Sequence, residues 1–251
     1  MRRQTNPYKA RKPSSRWKSN NLLHVPPLPG FSFVRPDHGP PRCSICGEQG
    51  PLTEDHVPPR SCGNTGRQLV RSVAGDLEGR SPRISRNGYK RRTICGECNN
   101  TRLGKRYDPV LSRFSEQVKR VAEVRIALPR HMRIPTEPCK LIRAIVGHLL
   151  AARSYFSESV LEKAMRRYFL DEAATEPEGF SVFYWFYRFS DVVVVPPCIA
   201  MPARRGCFEK FADFGVLKFY PLGFAVSSLT DYEGLPSVGN YVNDDALPFD
   251  M

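Results

Sequence analysis

The chain has 251 residues, of which 41% are hydrophobic and 11% aromatic, with 38 Lys+Arg against 25 Asp+Glu for a net charge of +13. That composition suits one large or two small folded domains and excludes a disordered chain. No run approaches the roughly 18 apolar residues that cross a bilayer. The basic N-terminus MRRQTNPYKARKPSSRWKSN also lacks the apolar stretch of a signal peptide, so a cytoplasmic protein without membrane contact is expected.

The charge is unevenly placed. Residues 1–108 hold 21 Lys+Arg against 8 Asp+Glu, whereas residues 109–251 hold 17 of each, so the whole excess lies in the first part. A basic half joined to a neutral one points to a polyanionic partner, of which nucleic acid is the usual one. In chain order, residues 1–42 are rich in Pro, Arg, Lys and Ser and read as a flexible or extended arm. Residues 43–108 contain paired cysteines and many turn formers, as a small metal-held module would. Residues 109–251 read as an α+β domain of unassigned role.

Within that last part, Leu111, Phe114, Val118 and Val121 recur at helical spacing and predict a helix over 109–126, broken by Pro129 and Pro135. Leu141, Ile142, Ile145, Val146, Leu149 and Leu150 predict a second over 138–155. Ser159 and Glu162 have capping-box spacing and open a third, running through Tyr168 and Phe169. Beyond Gly179 the segments FSVFYWFYRF, DVVVV, CIAM, FEKFADFGVLKFY and GFAVSS are aromatic and β-branched and separated by Pro and Gly. They predict an antiparallel sheet packed on the helices. Its aromatics read as core rather than as stacking platforms for bases.

Four of the eight cysteines form two C-x-x-C pairs, CSIC at 43–46 and CGEC at 95–98. Without a secretory signal this pattern reads as metal binding rather than disulfides. Cys43, Cys46, Cys95 and Cys98 supply a closed tetrahedral thiolate set for structural zinc, with no open position for catalysis. Such an ion staples distant segments and lets a small module fold. Cys62 reads as a small buried residue, and Cys139, Cys198 and Cys207 lack ligand spacing.

Between and beside the knuckles lie EDHVPP at 54–59 and Asn99-Asn100. The order CSIC, EDHVPP, CGECNNTRLGKRYD resembles the HNH (ββα-metal) endonuclease family in its four-cysteine, zinc-binding variant. The resemblance covers residues 43–108. It implies a β-hairpin followed by a helix with a catalytic metal between them, hence an α+β, zinc-stapled module ahead of the helical segment and the β-rich region.

Carried over by position, the resemblance makes His56 the general base that activates water against a DNA phosphodiester. Imidazole suits that task because it titrates near neutral pH. Asp55 and Asn99 would hold a single Mg²⁺ or Mn²⁺, with Asn100 as the alternative to Asn99. The family places an Asn shortly before the second knuckle to orient the base. Asn87 is the candidate of that type, with Tyr89 or Lys90 as substitutes.

Arg60, Arg91, Arg92, Lys105 and Arg106, with other basic residues between His56 and Cys95, would contact the phosphate backbone without reading sequence. DNA is the expected partner, RNA stays open, and double-strand cutting would require a homodimer or two encounters. A role in restriction or phage defence is suggested by analogy. The competing reading is a non-catalytic, zinc-dependent nucleic-acid-binding module, which would need none of Asp55, His56 and Asn99. His24 and His38 lie in Pro-rich segments, His131 in a loop, and His148 reads as a core histidine on an apolar helix.

Overall fold

The computed structural model describes residues 41–70, 83–124, 131–154, 156–200, 212–230, 232 and 234–250. Almost all of the expected arm, Arg71, Arg80 and Cys207 fall outside these residues. The described residues belong to one unit and form a mixed α+β structure with antiparallel sheets. Among them no helix is long and apolar enough to cross a membrane.

The basic module begins with the first cysteine knuckle and β1 (Leu52–His56). β2 (Gln68–Val70) and β3 (Arg83–Ser85) pair antiparallel, and β4 (Lys90–Cys95) follows. β1 and β4 pair antiparallel, with Asp55 opposite Arg91, His56 opposite Lys90, and a bulge between Thr53 and Glu54. The second knuckle then leads into a helix wound wide in the i→i+5 pattern over Glu97–Tyr107.

That segment passes directly into α1 (Asp108–Ala122): the Asp108 N–H still donates to the Leu103 carbonyl, and Pro109, which has no N–H, interrupts the ladder at the junction. β5 (His131–Pro135), α2 (Pro138–Ala151) and α3 (Val160–Leu170) come next. Ser159 caps α3 as its spacing predicts, its hydroxyl accepting from the Glu162 N–H at 3.2 Å. α1 and α2 each stop about four residues short of the predicted ends. α2 ends where Arg153 turns to the buried carboxylate of Glu162, 2.6 Å away.

β6 (Ser181–Phe186), β7 (Val193–Ala200), β8 (Ala212–Phe219) and β9 (Leu222–Ser227) form an antiparallel sheet in the order β6-β9-β8-β7. β10 (Ala246–Asp250) returns to pair with β5. Strand alternation turns Leu222, Phe224 and Val226 of β9, with Leu217 and Phe219 of β8, onto the protein core, all essentially unexposed.

α2 is the centre of the molecule. Residues 141–151 are all buried, and the helix touches β4, the wide helix, α1, α3, β7 and β8. A helix apolar nearly all round is one covered on every side. One hydrophobic core therefore runs from Ile45 and Ile94 of the module, through Leu103 and Ile145, to Phe224 and Phe249. The helical and sheet elements are thus packed directly onto the knuckle-bearing module.

Candidate active site

The two C-x-x-C turns come together although 49 residues separate Cys46 from Cys95. The four ligand sulfurs of Cys43, Cys46, Cys95 and Cys98 lie within 4.8 Å of one another, with Cys46 Sγ 3.8 Å from Cys95 Sγ. Four sulfurs bonded at about 2.3 Å to a tetrahedral ion stand about 3.8 Å apart, so the cluster could hold a metal ion such as zinc.

The surrounding backbone favours thiolate. The Cys95 N–H donates to Cys43 Sγ at 3.3 Å. A hydrogen bond from Cys98, helped by backbone donors, holds the Cys43 thiol down to about 4 against the opposing effect of burial. Burial and the neighbouring Cys43 charge push Cys46 up to about 12, against the lowering contact from the Glu48 backbone. A central cation is what would offset four sulfurs held as thiolates together.

The knuckle is anchored through both backbone groups of Ser44. The Ser44 N–H donates to the Thr93 carbonyl of β4 at 2.8 Å, and Arg166 of α3 donates through Nε to the Ser44 carbonyl at 2.8 Å.

β1 then presents Asp55 and His56 to opposite sides, as consecutive strand residues must. His56 is partly exposed, and its Nε2 lies 3.1 Å from the Asn87 carbonyl oxygen. A carbonyl only accepts, so Nε2 carries the hydrogen and Nδ1 keeps the lone pair of the neutral ring. Burial is the main cause that lowers the His56 pKa from its ordinary value. Lys90 and Arg60 add to it, against the raising effects of the Asn87 contact and Asp55.

The carbonyl that meets His56 belongs to a tight Asn87-Gly88 turn. Gly88 has φ +77°, and a Cβ there would stand 2.2 Å from the Asn64 carbonyl oxygen, so glycine is required. Asn64, wholly buried, secures both sides. Its Nδ2 donates to the Pro58 carbonyl at 2.7 Å and the Tyr89 carbonyl at 2.9 Å, while its Oδ1 accepts from the Tyr89 N–H at 2.7 Å. Pro58 follows a cis peptide bond in the loop leaving His56. Nothing in the spacing of Asn64 marks this role; only the fold brings it between residues 58 and 89.

Asn99 rather than Asn100 meets β1. Its Nδ2 donates to Thr53 Oγ1 and to the Glu54 carbonyl, both at 2.9 Å, which leaves Oδ1 as its uncommitted oxygen. Asn100 is exposed.

Asp55 points inward and is only 7% exposed. Its Oδ2 lies 3.3 Å from Nδ1 of His148 on α2, an ion-pair contact without hydrogen-bond geometry. His148 Nε2 lies 2.9 Å from Asp108 Oδ1 at the start of α1. The ring is fully buried, which opposes its charge, yet the two carboxylates outweigh burial and raise it to about 10. His148 is in the core, as its apolar helix suggests, but as the cation of a buried Asp–His–Asp triad. Sequence reasoning passed over Asp108, although it closes the CGECNNTRLGKRYD segment.

The basic residues divide into committed and open. Arg91 donates to Ser154 Oγ and stacks toward the Tyr89 ring, and exposed Arg92 and part-buried Lys90 share Glu54, each at 3.8 Å. Arg106 pairs with Glu172. Arg60 and Lys105 are exposed and form no ion pair among the described residues. Lys105 and Arg106 line a cleft of about 460 Å³ together with Arg113, Lys140 and Arg143, five cations against Glu137 and Glu172. His131 lies on β5 and meets Asp250 at the surface, remote in sequence from these elements.

No family model, curated protein or solved structure matches the chain.

Proposed function

We propose that the chain is a metal-dependent endonuclease of the HNH type, hydrolysing DNA phosphodiester bonds with His56 as general base. The observation that carries this reading is the hairpin and helix around His56. The base sits on β1 with Nε2 tied to the Asn87 carbonyl, Asp55 precedes it on the inner face of the strand, and Asn99 on the following helix is brought against the same strand.

In this reading the Asn87 carbonyl fixes the ring so that Nδ1 is the atom that takes a proton from water. The lowered pKa keeps that nitrogen free at neutral pH. Asp55 and Asn99 offer a carboxylate and an amide oxygen, a hard donor set that fits Mg²⁺ or Mn²⁺. When bound, such an ion supplies charge stabilisation for the phosphate and the leaving oxygen. The cysteine cluster, carrying structural zinc, holds β1, β4 and the wide helix in register. Arg60, Lys105 and the cationic cleft would contact phosphates without selecting sequence. The basic excess in residues 1–108 supports the same polyanionic partner.

The test is cleavage of supercoiled plasmid with Mg²⁺ or Mn²⁺ by the zinc-loaded wild type and by His56→Ala. Metal-dependent nicking that falls at least about a hundredfold in the variant is the expected result. Equal cutting by both removes His56 from the reaction. Retardation of DNA in a gel without cutting would replace this reading with a binding module.

A further inference from the structure

We infer that His148 is a positioning residue of this centre, holding the Asp55 carboxylate through its Nδ1 while Asp108 holds the ring through Nε2. The inference rests on the proposed hydrolytic reading and gives the α2 region a part in the site.

A buried carboxylate needs a partner, and Asp55 finds its partner 93 residues along the chain on the central helix. The approach is built in. Gly147 lies against Leu103 of the wide helix and Phe169 of α3, and a Cβ at 147 would stand 2.6 Å from either side chain. The missing side chain lets α2 sit close enough for the next residue to reach between β1 and α1.

The triad is not itself a chelate. The two carboxylates take opposite nitrogens of one ring, so neither nitrogen remains for an ion. Nor are both contacts equivalent. The Asp108 contact is a 2.9 Å hydrogen bond that fixes the ring, and the Asp55 contact engages Oδ2 alone. Oδ1 is therefore the oxygen left to a divalent cation. Supporting contacts of this kind, one shell out from a ligand, commonly change metal affinity 10- to 100-fold when removed.

Two substitutions separate positioning from simple support of the core. His148→Asn keeps a donor near the place of Nδ1 and gives up Asp108. His148→Gln keeps a donor near the place of Nε2 and gives up Asp55. Mn²⁺ binding to the zinc-loaded full chain is followed by the EPR signal of the free ion, with zinc content and thermal melting measured alongside and plasmid nicking as a second readout.

The Gln variant is expected to bind Mn²⁺ at least about tenfold more weakly. The Asn variant, which keeps a donor toward Asp55 but not the charge of the ring, is expected to lose less than the Gln variant, whichever of the two melts lower. Asp55→Asn should weaken binding most. Equal Mn²⁺ affinity in wild type, Asn and Gln variants overturns the inference, and so does a loss that only follows melting temperature. If Asp55→Asn still abolishes binding in that case, the metal site stands without His148. If wild type binds no Mn²⁺ and cuts nothing, the hydrolytic reading falls and this inference with it. Should either His148 variant fail to fold, Asp108→Asn loosens the same ring from its far end. It is then expected to weaken Mn²⁺ binding severalfold, and unchanged affinity there overturns the inference.

Discussion

The cysteine cluster and the Asp55–His148–Asp108 triad each gather distant segments to one point, with opposite electrostatics. Four sulfurs within 4.8 Å of one another are a set of donors that could hold a cation such as zinc. The triad carries its own cation, a fully buried imidazole between two carboxylates. One junction could therefore be closed by a metal ion such as zinc, and the other turns on proton occupancy. They sit at the two ends of the same strand pair, so the hairpin bearing His56 is held by two devices that fail under different conditions.

Chelation is the largest way to break that comparison. Structural zinc supplies about 10–16 kcal/mol in small zinc-dependent folds. Removing it with a strong chelator, or replacing Cys98 by Ser, is expected to lower the melting temperature by on the order of 10 °C or more. The tie between Arg166 and the Ser44 carbonyl should be lost with it. Metal analysis of the purified chain and a melting curve check this; an unchanged melt after complete zinc removal would leave the sulfurs without structural weight.

The triad should respond to alkali instead. His148 is raised to about 10, whereas in the unfolded chain it titrates at its ordinary value near 6.5. Between those two values the folded state holds a proton that the unfolded state has lost. Stability from this group is thus complete below about pH 6.5 and declines as pH rises toward about 10, by at most about 1.4 kcal/mol per pH unit. Without added divalent cation, the denaturation midpoint should fall over pH 7 to 10, and the His148 ring signals in NMR should not titrate below about pH 8. A ring that titrates near pH 6.5 would make the triad an ordinary core contact.

The same two junctions show what can be read in a linear chain. The cysteine pairs are legible because each C-x-x-C is a local unit whose spacing already matches a turn around an ion. The Ser159 cap, the three helices and the aromatic strands are legible for a similar reason, since each is written in short-range periodicity. Asp55, Asp108 and His148 lie on β1, α1 and α2, and no local rule relates them. On its own helix His148 is one polar residue among Ile145, Val146, Leu149 and Leu150, which is why it reads as core. The wide winding of Glu97–Tyr107 is equally hidden, because its buried residues Cys98, Leu103 and Tyr107 are too few to mark a period in the sequence.

Asn64 gives the smallest effect and the finest test of how the two junctions share the hairpin. Its side chain makes three hydrogen bonds, to the Pro58 carbonyl and to both backbone groups of Tyr89. None of these bonds goes to the four-cysteine cluster or to the triad. Asn64→Ala would take this partner from the Pro58 carbonyl and the Tyr89 N–H, while the Tyr89 carbonyl keeps its bond from the Val57 N–H, at a cost on the order of 1–3 kcal/mol. Denaturant titration should show that loss with zinc content unchanged. The substitution should also loosen the Asn87-Gly88 turn, whose carbonyl holds His56 Nε2 at 3.1 Å. Nicking should therefore fall at temperatures where the variant remains folded, while Mn²⁺ affinity stays near wild type. A loss of Mn²⁺ affinity matching the loss of nicking would mean that the loop also bears on Asp55, and that the base and the metal ligands move as one.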